Sequence, residues 1–201
     1  MDQRKLRDCL GLFTTGVVIA CARRKNFLTD NFHAEKILDS HFFSTKILNQ
    51  KTISETSLGK SFLLKLKKLF TDEFFGMTIN SFSSVSLDPS LVLFSIDNNS
   101  ANLSFFKKNR YFSLNILSYD QLELAKAFAT PKNSLKWGVE PYFLGKFGNP
   151  IFQNSLGFFE CKKHRVIKAG DHHIIIGKVL DFDKMADRNS LVYAKGKYGS
   201  L

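Results

Sequence analysis

Apolar and polar positions along the chain predict many short strands and few helices. Leu6, Leu10 and Phe13 recur at helical spacing, which predicts a short amphipathic helix over residues 3–13. The mostly β-branched apolar run at residues 17–21 predicts a buried strand. Further strands are predicted, from apolar runs or from alternation with a period of two, at residues 77–82, 91–96, 112–116, 157–168 and 173–181.

The segments between these strands are short or irregular. Short helices are predicted at residues 103–108 and 121–129, and residues 131–154 are rich in Pro and Gly and predict a loop. Residues 169–171 suit a hairpin turn. Hairpin-like connections between five or six strands predict a mainly β protein built as an antiparallel barrel. The sequence contains no βαβ unit with a Gly-rich phosphate loop, so a Rossmann-type nicotinamide site is not expected.

Positive charge is concentrated in one segment of the chain. The net charge is +11, and residues 23–68 hold ten basic and four acidic side chains, which gives them +6 of it. Within the polar and basic stretch at residues 23–73, apolar residues at helical spacing with lysines on the other faces predict a basic amphipathic helix over residues 62–70. The segment is either a solvated surface packed on its own domain or a surface that meets phosphates, a membrane or a partner.

The cysteines and the hydropathy indicate the compartment. Cys9, Cys21 and Cys161 show no metal-ligand spacing, and their odd number argues against a disulfide framework. Free thiols in a reducing cytoplasm are therefore expected. No stretch approaches the roughly 20 apolar residues that a membrane span needs. We expect one cytoplasmic domain over residues 1–201.

Two polar segments next to strands carry candidate chemistry. Residues 78–86 contain Thr, Asn and four Ser, which either present hydrogen-bonding groups to a flat heteroaromatic ring or form a Ser-rich strand end and turn. Residues 97–102 follow a core strand and precede a short helix. Ser100 or Asn99 is expected to cap that helix, and the same pattern suits a phosphate cradle.

A third candidate is the segment Gly170-Asp171-His172-His173. Adjacent histidines face opposite sides of a regular strand, so a shared metal ion is not expected, and no metal site is predicted elsewhere. His172, at the head of a strand, is either a hydrogen-bonding partner for a ligand or a surface histidine.

Taken in order, these segments resemble the flavin reductase-like family, the small NAD(P)H:flavin oxidoreductases that serve two-component flavin monooxygenases. The resemblance covers about three quarters of the chain. It rests on Leu10–Val18, Gly76–Pro89, Leu91–Ile96 with Asp97 and Ser100, Phe112–Leu117, Gly170–His172 and Tyr193–Gly199.

The resemblance implies a homodimeric split β-barrel that binds FMN or FAD and uses NADH or NADPH as hydride donor. Reduced flavin would then pass to a separate monooxygenase, and neither nucleic acid nor a membrane is an expected partner. A non-catalytic flavin carrier on the same barrel is the alternative.

The resemblance also assigns residues to these ligands by position. The isoalloxazine ring would be lined by Thr78, Ile79, Asn80 and Ser81, with Ser84 and Ser86 along the same wall. The flavin phosphate would meet Asn98, Asn99, Ser100 and Asn102. The nicotinamide would lie by Gly170, Asp171 and His172, and Tyr198 would lie near the pocket. His172 is the expected catalytic residue, positioning the nicotinamide, while backbone N–H groups near Asn80 and Ser81 would stabilise charge on the reduced flavin.

Two features depart from the family pattern. Asn98 stands where a basic residue is common, which implies weaker phosphate binding. Roughly 45 extra residues, about 26–73, are inserted between the first strand and the Gly76-Met77-Thr78 strand. Such an insertion costs a barrel little stability. It would cap the flavin site, extend the dimer, bind an oxygenase, or mark a chain that has lost activity.

Overall fold

The computed structural model describes residues 2–23, 74–130 and 136–201. The predicted basic segment at 26–73, including the helix predicted at 62–70, lies outside them. The helices are α1 (Gln3–Leu10), α2 (Leu103–Lys108) and α3 (Leu122–Ala129). The strands are β1 (Thr15–Gly16), β2 (Val18–Arg23), β3 (Phe74–Ile79), β4 (Ser83–Leu87), β5 (Ser90–Asp97), β6 (Tyr111–Ile116), β7 (Tyr142–Leu144), β8 (Pro150–Phe152), β9 (Gly157–Ala169), β10 (His172–Lys184), β11 (Leu191–Ala194) and β12 (Lys197–Ser200).

Seven strands form the main sheet, in the order β3-β2-β6-β9-β10-β5-β4. If this sheet were flat, its two edge strands would lie about 29 Å apart at the usual strand spacing. Yet the edge strands β3 and β4 are consecutive in the chain, with only residues 80–82 between them. A fully extended chain from Ile79 to Ser83 reaches at most about 14 Å, so the sheet must curl until its edges approach each other. The result is an antiparallel split β-barrel, as the sequence predicts.

The barrel interior is filled by aromatic and aliphatic side chains from alternate strand positions. The rings of Phe94, Phe106 and Phe112 contact one another edge to face, and helix α2 supplies Phe106 from outside the sheet. Gly177 on β10 allows this packing, because a Cβ atom there would lie 2.5 Å from the Phe112 ring. Close packing of the core therefore requires a residue without a side chain at position 177 of β10.

Strand β6 has a buried polar face as well as a buried apolar one. The alternation of residues 112–116 correctly predicts the strand, but Ser113 and Asn115 are also fully buried. The Asn115 amide donates to the carbonyls of Ile19 and Pro150 and accepts from Phe152 N–H. The short hairpin of β7 and β8 therefore covers the polar face of β6.

One sequence prediction is wrong at the level of local structure, and one alternative holds only in part. The polar segment at residues 78–86, for which a strand end and turn was one of two alternatives, ends β3 and forms the link at residues 80–82, but it then continues as edge strand β4 paired with β5. The segment predicted as a loop at residues 131–154 contains β7 and β8 within its described part. All three strands are short and rely on a neighbouring strand for their hydrogen bonds, so their own sequence carries little periodic signal.

The predicted hairpin near the end of the chain is confirmed and is longer than predicted. Strands β9 and β10 each have 13 residues and pair antiparallel around a turn at Gly170, whose φ is +61°. Strand β10 pairs on its other side with β5, with His172 opposite Asp97 and His173 opposite Ile96. This register brings the β9–β10 turn beside the end of β5. No helix within the described ranges has the length and apolar character of a membrane span.

Candidate functional site

Asn98, directly after β5, joins two of the predicted site segments. Its backbone N–H donates to the Asp171 carbonyl at 2.9 Å, and its Nδ2 donates to the Gly170 carbonyl at 3.2 Å. Its Oδ1 lies 2.6 Å from Nδ1 of His173. The segment expected at the flavin phosphate and the turn expected at the nicotinamide are therefore in direct contact.

Asp171 and His172 form an exposed pair at the tip of that turn. Nδ1 of His172 lies 2.7 Å from Oδ1 of Asp171. The hydrogen bond and the charge of His172 lower the pKa of Asp171, and the Arg7 guanidinium of α1 acts in the same direction. Because the carboxylate accepts a hydrogen bond, Nδ1 of His172 carries a proton. Nε2 is left to hydrogen-bond a ligand.

His173 belongs to the opposite side of β10 and has a different environment. Partial burial lowers its pKa, and the positive charges of Lys107 and Lys168 lower it further. His172 and His173 therefore serve different partners. Within the part of the chain that the structure describes, no cluster of three His, Cys, Asp or Glu side chains could hold a metal ion.

The polar segment at residues 97–102 forms a tight turn before α2. Asp97 Oδ1 accepts from Asn99 N–H at 2.6 Å, and Ser100 Oγ accepts from Asn102 N–H at 3.3 Å. The cap predicted at Ser100 or Asn99 is wrong, since Asn102 is the N-cap and its side chain makes no capping bond. The side-chain amides of Asn99 and Asn102 donate to no described residue, so both can bind a ligand.

The residues predicted to line the isoalloxazine ring are divided by the alternation of β3. Ile79 lies in the barrel core, whereas Asn80 is exposed at the strand end. Thr78 faces α3, and its hydroxyl donates to the Ala125 carbonyl at 2.6 Å. The Ser81 hydroxyl is engaged with the backbone of Ser95 on β5. Ile79 can therefore offer a ligand only its backbone, while the Asn80 side chain remains available.

Ser84 and Ser86 lie on the edge strand β4. A bulge at Val85 places Ser84 opposite Val92 and Ser86 opposite Leu91. Because neighbouring residues of β5 face opposite sides of the sheet, these two serines do so as well. Only one of the two can contribute its hydroxyl to a given face.

Tyr198 on β12 lies next to Tyr193, with ring centroids 5.1 Å apart. Partial burial raises its pKa, the neighbouring Tyr193 adds to the shift, and Lys126 of α3 opposes it. Tyr198 therefore borders the same helix that accepts the Thr78 hydrogen bond. Among the described residues, no hydrogen bond, ion pair or ring contact joins Tyr198 to the Gly170–His172 turn.

Two residues of this region were missed by sequence reasoning. The sequence assigns no role to His173, which stands in the third candidate segment, yet His173 carries the contact to Asn98. Arg7 lies in the first helix, 164 positions before Asp171, and its local sequence gives no sign that the two charges interact. The contact of His173 with Asn98 depends on the register of β10 on β5. The interaction of Arg7 with Asp171 depends on the packing of α1.

Comparisons with known proteins identify relatives of this chain. The FMN reductase (NADH) of Agrobacterium fabrum is 36% identical over 124 residues, which are 62% of this chain and 70% of that protein. The reductase component of the trigonelline monooxygenase of Acinetobacter baylyi is 39% identical over 127 residues, 61% of this chain. The match spans only 39% of that relative's length.

Solved structures extend the similarity to the whole fold. The flavin reductase component of a bacterial two-component tryptophan halogenase has a TM-score of 0.71 and 25% identity. The alignment covers all of this chain and 98% of that one. Residues 67–201 match the family model for the flavin reductase like domain. Two thirds of the chain thus fit one family model, and the chain belongs to the flavin reductase-like family.

Proposed function

We propose that this chain reduces FMN or FAD with NADH or NADPH and supplies the reduced flavin to a partner monooxygenase. One observation carries the proposal. Through Asn98, the segment assigned to the flavin phosphate is hydrogen-bonded to the Gly170–His172 turn assigned to the nicotinamide. A reductase needs both ligands at one place, because hydride passes only between closely stacked rings.

The hydrogen-bonding groups at this place fit a flavin nucleotide. The amides of Asn99 and Asn102 project from the turn after β5 and donate to no described residue. A phosphate group accepts several such bonds. Asn80, exposed beyond β3, offers a further amide to the polar edge of the isoalloxazine ring. These amides can bind the flavin phosphate without a basic side chain. Because Asn98 stands where a basic residue is common, we expect the affinity for the flavin phosphate to be modest.

The bound cofactors would supply the hydride donor and acceptor themselves. The protein's own part is alignment and charge stabilisation. His172, held by Asp171, would hydrogen-bond the nicotinamide through Nε2 and fix its position. Backbone N–H groups at Asn80 and Ser81 would face the negative charge that develops on the reduced flavin. The hydrogen bonds between Ser81 and Ser95 hold residues 80–82, which connect β3 and β4, against β5.

We also propose a homodimer, supported by exposed apolar side chains near the N-terminus. The side chains of Leu10, Leu12 and Phe13 are 66%, 61% and 77% exposed. Helix α1 contains no buried residue, although its apolar positions recur at helical spacing. A second copy of the chain that covers this surface would remove it from water, as symmetric interfaces commonly do.

The names of the relatives support the partner and the cofactors of the proposal. The Agrobacterium protein is named for FMN and NADH, and a Streptomyces globisporus relative is named an NADH-dependent FAD reductase. We therefore favour NADH over NADPH and leave both flavins as substrates to compare. The Acinetobacter relative is the reductase component of a monooxygenase, which supports an oxygenase as recipient. We further propose that residues 26–73 are an insertion within one domain, because they fall between β2 and β3, which are neighbours in the main sheet. We also propose a cytoplasmic location, which the free thiols of Cys9, Cys21 and Cys161 support.

The experiment is anaerobic mixing of the protein with FMN or FAD and with NADH or NADPH, following the absorbance of oxidised flavin. We expect catalytic bleaching with at least one pair and faster bleaching with NADH. Flavin with NADH in the absence of protein is the control. Flavin binding without bleaching would instead identify a carrier, and absence of binding would reject both readings.

A further inference from the structure

We propose that Asn98 is a positioning residue, which holds the Gly170–His172 turn in the place where His172 meets the nicotinamide. The inference rests on the proposed function and deepens it. It also gives Asn98 a role different from the direct phosphate contact that its sequence position implies. Its backbone N–H and both polar atoms of its side chain are already engaged with the hairpin of β9 and β10.

The two donors of Asn98 bind two successive carbonyls of the turn. The backbone N–H meets the Asp171 carbonyl and Nδ2 meets the Gly170 carbonyl. Gly170 adopts a φ of +61°, so the chain reverses at the residue that the amide holds. Both hydrogen bonds join the turn to the end of β5. The side chain of Asn98 therefore limits how far the tip of a long hairpin can move.

The acceptor of Asn98 completes the arrangement. Its Oδ1 accepts a hydrogen bond from Nδ1 of His173 at 2.6 Å. The orientation of the amide is thereby defined, with Oδ1 towards His173 and Nδ2 towards the Gly170 carbonyl. His173 is joined by the chain to His172, whose ring is held by Asp171. Asn98 thus constrains the residues on both sides of His172 without touching His172 itself. Its effect on the nicotinamide must be exerted through the turn.

The surroundings separate this role from a role in folding. Gly170 and Asp171 are exposed, so water can replace the lost partner of the Gly170 carbonyl. The backbone bond from Asn98 to Asp171 remains when the side chain is removed. Loss of the side chain should therefore loosen the turn while leaving the barrel stable. Misplacement of a positioning group by about 1 Å can cost up to about a hundredfold in rate.

The test is Asn98→Ala, with Asn189→Ala as the matched control, since Asn189 is exposed and its side chain bonds to no described residue. Calorimetry measures the Kd of NAD⁺ for the protein with FMN present, and steady-state assays give KM and kcat. We expect Asn98→Ala to raise the Kd of NAD⁺ and the KM for NADH about tenfold. The melting temperature and the Kd of FMN should stay close to those of the control.

A double-mutant cycle with His172→Ala tests whether Asn98 acts through the turn. If it does, Asn98→Ala should raise the Kd of NAD⁺ far less in a chain that already lacks the His172 ring. Equal effects of Asn98→Ala with and without His172 would overturn the inference. So would a loss confined to FMN affinity, which would mean a direct phosphate contact. If the unaltered chain bleaches no flavin, the proposed function fails. If the unaltered chain is active and Asn98→Ala changes neither the Kd of NAD⁺ nor the KM for NADH, only this inference is rejected.

Discussion

The Ser81 hydroxyl and the backbone of Ser95 form a reciprocal pair. Ser81 Oγ donates to the Ser95 carbonyl and accepts from the Ser95 N–H, at 3.0 Å in both cases. Ser81 belongs to the link between the two edge strands of the main sheet, and Ser95 belongs to β5. One side chain therefore replaces a pair of ladder hydrogen bonds at the split of the barrel.

Replacing Ser81 with Ala removes both of these bonds. The Ser95 N–H and carbonyl lose their partner at a half-buried position, so we expect the free energy of unfolding to fall by about 1–2 kcal/mol. Urea denaturation followed by tryptophan fluorescence measures the change. Ser104→Ala is the control, because Ser104 is exposed on α2 and its hydroxyl bonds to no described residue. If Ser81→Ala and Ser104→Ala gave equal stabilities, the pair would contribute nothing to the fold.

Close packing across the barrel predicts a strong effect of Gly177→Ala. The added methyl group would lie 2.5 Å from the Phe112 ring and 2.9 Å from Cys161 Cβ, so neighbouring side chains must shift. We expect a loss of about 1–3 kcal/mol in the free energy of unfolding. Gly16→Ala is the matched control in a strand, since a Cβ there meets nothing within 4 Å. Equal melting temperatures for the two variants would contradict the packing described for β10.

Glu160 predicts a pH dependence of stability. Its carboxyl group is fully buried and accepts hydrogen bonds from the Phe147 N–H and the Asn149 amide. Burial raises its pKa, and these hydrogen bonds offset only part of the rise. The folded chain therefore keeps a proton on Glu160 at pH values where the unfolded chain has lost it.

The contribution of Glu160 to stability should consequently fall as pH rises from the ordinary glutamate pKa to the raised one, and level off above it. Glu160→Gln cannot ionise, so its free energy of unfolding should lack this part of the pH dependence. Denaturation of both chains across the acidic range measures the difference. Parallel curves would show that the carboxyl group titrates alike in the folded and unfolded chain. Glu123→Gln, at an exposed position on α3, is the control.

The contact between Asn98 and His173 predicts the effect of a charge at position 98. Partial burial, Lys107 and Lys168 lower the pKa of His173 in the unaltered chain. Asn98→Asp places a carboxylate against Nδ1, which favours the protonated ring and should raise that pKa. Titration of the histidine signals by NMR measures it, with Asn189→Asp as control. An unchanged His173 pKa would mean that the two side chains do not meet in solution.

Local patterns predicted those features that depend on neighbouring positions in the chain. The apolar run at residues 91–96 and the paired runs around Gly170 became β5 and the β9–β10 hairpin. Periodicity marks such elements because burial of one strand face selects apolar residues at every second position. The order of the motifs along the chain also indicates the family, and the family implies the barrel. The predicted strands β2, β6 and β10 are all part of its main sheet.

Other features required the tertiary structure, because they depend on which distant segments meet. Nothing in the sequence of residues 111–116 tells that Asn115 is buried, since its partners at Ile19, Pro150 and Phe152 come from other strands. The same holds for the site. Its residue types could be predicted, but the contact of Asn98 with Gly170 and His173 depends on the register of β10 on β5. The chain alone determined its strands and its family, whereas long-range register decided what each polar side chain does.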